Sequence, residues 1–107
     1  MTTFKRGQRV LYRRSVLCGR APEFGIIVKA HTGDAAGWYV VRDEDRPGSR
    51  GGSEHVEMLS DASDGWLARE IDALRAEASD AMRQSNQDVV MRYKADALND
   101  VADRLAA

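Results

Sequence analysis

Three kinds of residue in this chain have side chains able to do chemistry: one thiol, Cys18; two imidazoles, His31 and His55; and a run of adjacent carboxylates, Asp43-Glu44-Asp45. A single cysteine excludes an internal disulfide and a cysteine-based zinc site. A reactive thiol needs a depressed pKa, and only Arg14 and Arg20 lie near Cys18 in sequence to supply one. The imidazoles fall on or beside predicted strands, where histidine is most often a surface residue and not a ligand or base. Consecutive acids on an extended segment point in alternate directions, whereas a hard cation takes ligands spaced around a turn. No nucleophile, base and orienting group assemble from these residues. The expectation is a protein without catalytic residues, metal or cofactor.

Binding chemistry is better represented. The first 31 residues carry seven basic side chains against one acidic one, and Arg9, Arg13, Arg14, Arg20 and Lys29 form the candidate basic patch. Tyr12 and Trp38 are the aromatic side chains placed to stack beside it. Such a patch meets phosphate or an acidic protein. Residues 1 to 60 hold ten Lys/Arg against seven Asp/Glu, and residues 61 to 107 hold six against ten, so the total of −1 conceals a basic half and an acidic half. The acidic half and the near-zero total argue against nucleic acid as the partner.

The remaining composition is that of a soluble globular chain. With 107 residues, 43% apolar and 31% charged, it is expected to form one small domain with an appendage. No apolar run approaches the roughly 20 residues that span a bilayer. Lys5 and Arg6 have no apolar segment behind them, so no signal peptide is read and a cytoplasmic location is expected.

The elements that must position the patch are strands. Gly7 turns the chain into a first strand around Val10-Leu11-Tyr12, with neither face cleanly apolar. Arg14 to Glu23 shows no period, ends in Pro22-Glu23, and reads as a long loop. Phe24 to His31 reads as strand two, with Phe24, Ile26, Val28 and Ala30 as the core face. A glycine-bounded turn leads to strand three, Trp38 to Arg42, with Trp38 in the core. Asp43 to Gly52 reads as a mobile loop, and Ser53 to Leu59 as a final strand pair or a strand plus one helical turn.

After Leu59 the pattern changes to alanine, leucine and alternating charge. Leu67, Ile71, Leu74, Ala78 and Ala81 recur at helical spacing, and Met91, Leu98, Val101 and Leu105 form a second stripe out of register with the first. Ser85 and Asp88 are polar where the first stripe would continue. A helical hairpin is predicted, with Ser85 capping the second helix, and one continuous helix is the alternative. The stripe of Leu67, Ile71, Leu74, Leu98, Val101 and Leu105 predicts a homodimer through the helical segment.

Four segments carry a resemblance: Phe4-Lys5-Arg6-Gly7-Gln8-Arg9-Val10, Gly25-Ile26-Ile27-Val28, Gly37-Trp38-Tyr39-Val40-Val41-Arg42-Asp43 and Glu54-His55-Val56-Glu57-Met58-Leu59. Together they resemble the five-stranded SH3-like small barrel of the KOW and Tudor type. Small phage and prophage proteins in which such a barrel precedes a charged, alanine-rich helix are similar. Val10-Leu11-Tyr12 also resembles the RNA-polymerase-interacting barrel of CarD-type regulators. The resemblance implies an α+β chain, a barrel over 1–60 and amphipathic helices over 61–107. It implies a non-enzymatic binding module whose partner is a host protein complex, with inhibition of a host defence complex as one form. The alternative it implies is a nucleic-acid-binding or polymerase-associated barrel using the Arg9 to Arg20 region on DNA or RNA.

Overall fold

A computed structural model describes residues 3–86 and 88–107. The chain divides into two units, one running through Asp64 and the other from Gly65 to Ala107. The first is a single antiparallel sheet: β1 (Arg9–Tyr12), β2 (Phe24–Ala30), β3 (Trp38–Asp43), β4 (Gly52–His55) and β5 (Leu59–Asp61), in the order β4-β3-β2-β1-β5. The second is helical. The α+β class with five strands before two long helices is therefore as expected, although the sheet is open: β4 and β5 end it without pairing to each other.

One face of the sheet holds the core. Val10 and Tyr12 from β1, Ile27 from β2, Tyr39 and Val41 from β3 and Leu59 from β5 cluster with Phe4. Phe4 packs edge-on against Tyr39, with ring centroids 5.3 Å apart, and its N–H donates to the Tyr39 hydroxyl at 3.1 Å. The core face of β2 is the reverse of the expected one: Gly25 and Ile27 are buried, while Phe24, Ile26 and Val28 are half-buried on other sides. The reason is the size of Tyr12. A Cβ on Gly25 would come within 2.6 Å of both the Tyr12 hydroxyl and Val41 Cγ1, so glycine is what lets the phenol lie across β2. A register shift between Ile27 and Lys29 then changes which later residues pair with β3. Trp38, expected in the core, is 42% exposed, because its neighbours Tyr39 and Val41 take the core-facing positions.

The segment read as a loop after β1 contains a short helix, α1 (Arg13–Leu17). Cys18 N–H donates to Arg14 O and Gly19 N–H to Val16 O, and Gly19 takes the left-handed conformation (φ 78°) that ends a helix without a Cβ penalty. Ser15, fully buried, fastens the excursion: its hydroxyl donates to Tyr12 O at 2.6 Å and accepts from Glu23 N–H at 3.1 Å.

In the second unit α2 (Trp66–Gln84) and α3 (Val89–Ala106) pack on each other as a hairpin. Ser85 does not cap α3; it ends α2, its hydroxyl donating to Met82 O at 2.6 Å. Asp88 is the cap, accepting from Val90 N–H at 2.9 Å. Asp88 stands immediately before Val89, where its carboxylate meets the second helical N–H, whereas the Ser85 hydroxyl is already engaged at the end of α2. The buried positions are Glu70, Leu74, Ala78 and Ala81 on α2 and Ala95, Leu98, Val101 and Ala102 on α3. Small residues at four of these let the helix axes approach closely. Leu74, Leu98 and Val101 of the predicted stripe are thus buried in one chain, Ile71 and Leu105 are half-buried, and Leu67 is exposed.

Candidate binding cleft

Where β1 ends, β2 begins and β3 turns away, the first unit has an open cleft of about 430 Å³ lined by Tyr12, Pro22, Glu23, Phe24, Asp43, Glu44, Asp45 and Arg46. Three constraints from the sequence build it. Pro22 keeps Ala21 extended, so the chain enters β2 straight at Glu23-Phe24. The Ser15 hydroxyl holds Glu23 N–H on one side. On the other, Glu44 N–H donates to Phe24 O and Arg46 N–H to Asp43 O, both at 3.0 Å, so the acidic run after β3 is folded into consecutive turns.

Four carboxylates and one guanidinium line this cleft, together with Tyr12 and Phe24. The Tyr12 hydroxyl donates to Asp43 Oδ1 at 2.9 Å. Burial, then the hydrogen bond to Asp43 and the charges of Asp43 and Glu54, push the phenol pKa well above its ordinary value. Tyr12 is therefore a neutral donor at any ordinary pH. Arg9 lies with its guanidinium carbon 3.9 Å from the centre of the Phe24 ring and forks onto Glu44.

The predicted basic residues do not converge as a free patch. Arg9 pairs with Glu44, Arg14 with Glu54 at 2.5 Å, and Arg20 with Glu23 at 3.7 Å. The Arg14 guanidinium also sits 5.7 Å from the Tyr12 ring centre. Arg13 is half-buried in α1, and Lys29 is exposed on β2. Of the predicted contact residues only Tyr12 lines the cleft; Trp38 stands at the other end of β3. Pro22, Glu23, Phe24 and Asp43 to Arg46 were not expected to form a site. Their signal was present, since Pro-Glu-Phe before a strand and an acidic run after one are brought together whenever β2 pairs with β3 in this register.

Among the described residues no group of three or more His, Cys, Asp or Glu side chains is arranged to hold a metal ion, and no helix is long and apolar enough to cross a membrane. Compared with protein-family models, curated proteins and solved structures, the chain matches none.

Proposed function

We propose that the chain is a non-enzymatic binding module that takes a basic segment of a partner protein into the Tyr12/Phe24/Glu44 cleft. The observation that carries this is Arg9: the chain's own guanidinium already rests between the Phe24 ring and the Glu44 carboxylate, the contacts by which a cationic side chain is recognised. The remaining carboxylates, Glu23, Asp43 and Asp45, extend the same complementarity beyond that contact. That the partner belongs to a host complex, met in the cytoplasm, rests only on the four sequence segments that resemble small phage proteins. Titration with an arginine-rich peptide tests it: the wild-type chain should bind, and the double variant Glu44→Gln, Asp45→Asn should bind several-fold more weakly.

Self-association of the helical unit is a second reading, favoured by the exposure of Val89, Val90 and Tyr93, at 63%, 61% and 70%, beside the hairpin turn. It uses this surface and not the heptad-like stripe, most of whose leucines are already covered.

A further inference from the structure

The face of the sheet opposite the core has a different character from the cleft. Alternation along the strands, with the pairings Ile26↔Arg42, Lys29↔Val40, Val40↔Ser53 and Trp38↔His55, puts Lys29, Trp38, Val40, Arg42, Ser53 and His55 on this one face. His31 continues β2 opposite Trp38, its N–H donating to Trp38 O at 2.9 Å, and its Nε2 lies 3.2 Å from Ser53 Oγ. Trp38 is thus the middle of a cross-strand row of three rings, with His55 meeting it edge-on at 5.2 Å between centroids and 77° between planes. An indole held this way and left 42% exposed is a stacking surface.

The strand positions on the Trp38 half of this face carry cations and no carboxylate. Arg9, at its far end, is neutralised by Glu44, whereas Lys29 and Arg42 make no ion pair among the described residues. None of these ladder positions on β2, β3 or β4 carries a carboxylate; Asp34 and Glu57 lie in the 3-10 turns beyond the strand ends. An exposed ring flanked by imidazoles, with unpaired cations in the next rows, complements an unpaired base linked to phosphate.

We infer that the Trp38 corner of the sheet is a second binding site, for single-stranded nucleic acid, in which a base stacks on Trp38 and Lys29 meets an adjacent phosphate. It is independent of the cleft, and the basic arginines at the start of the chain take no part in it. A module with both sites suits a partner that is itself a nucleoprotein.

The test is fluorescence anisotropy of a labelled ten-nucleotide oligo-dT with the full chain at low salt. Binding is expected, with affinity falling about tenfold or more in Trp38→Ala and largely kept in Trp38→Phe. Lys29→Ala should lower the slope of log K against log salt by about 0.7. Circular dichroism establishes that each variant is folded. As a reading free of Trp38 substitution, emission from Trp38 in a Trp66→Phe chain should be quenched by the oligonucleotide. No binding, binding indifferent to Trp38→Ala in a folded variant, unquenched Trp38 emission, or equal binding of polyglutamate would each overturn the inference.

Discussion

Arg9 donates to both carboxylate oxygens of Glu44, from Nε at 2.5 Å and from Nη2 at 3.2 Å, across 35 positions of sequence. Glu44 lines the cleft, and its pairing with Arg9 explains why a segment rich in arginine does not present a basic surface beside it. Both side chains are about two-fifths exposed. An ion pair so exposed contributes little to stability, on the order of 1 kcal/mol or less. Its larger consequence is occupancy, since Arg9 fills the contact that a partner's cation would use.

Arg9→Ala should therefore leave the unfolding free energy within about 1 kcal/mol of the wild type while raising affinity for an arginine-rich peptide. Denaturant unfolding and calorimetric titration measure the two quantities. A loss of peptide affinity would mean that Arg9 supports the site instead of occupying it.

Gly25→Ala is expected to destabilise the sheet unit by about 1 to 3 kcal/mol. The added Cβ would stand 2.6 Å from the Tyr12 hydroxyl and from Val41 Cγ1, neither of which is a freely moving chain end. An unchanged denaturation midpoint would show that Tyr12 does not lie across β2 in solution.

Tyr12 gives stability a pH dependence at the alkaline end. Because the fold raises its pKa, the native state holds a proton that the unfolded chain loses from about pH 10 upward. The stabilisation is complete below that pH and is lost as pH climbs toward the higher native value. Tyr12→Phe should flatten this alkaline slope, and at neutral pH should cost about 1 kcal/mol for the lost bond to Asp43. Urea unfolding between pH 8 and 11 reads both effects.

Leu74 is fully buried and Leu98 nearly so. An aspartate at either position places an unpaired charge in the helix contact. The expected outcome for Leu74→Asp or Leu98→Asp is loss of helical circular dichroism. A variant that kept its full helical signal and only changed its sedimentation would instead identify these leucines as an interface between copies.

The strands, the hairpin and the position of its break were legible because each rests on a local signal: β-branched runs, glycine-bounded turns and helical spacing that stops at Ser85. The inward face of β2 was not legible, since apolar side chains alternate on both faces and the choice depends on Tyr12 needing the space above Gly25. The short helix after β1 was not legible and its segment reads as a loop, because its five residues are too few to show a period. The arginines were visible and their neutralisation was not, because Glu44 and Glu54 reach Arg9 and Arg14 only through strand pairing. For the same reason the acidic run after β3 looked like a solvated loop, although it forms half of the cleft.

The most direct measurement is a heteronuclear NMR titration of the isotopically labelled full chain with a short arginine-rich peptide, beside a glutamate-rich peptide of equal length. Shifts are predicted at the backbone amides of Phe24, Glu44, Asp45 and Arg46 with the arginine peptide alone, and their loss in the Glu44→Gln, Asp45→Asn variant. No shifts, shifts confined to residues outside the cleft, or the same shifts from the glutamate peptide would contradict a cleft that receives a cationic segment.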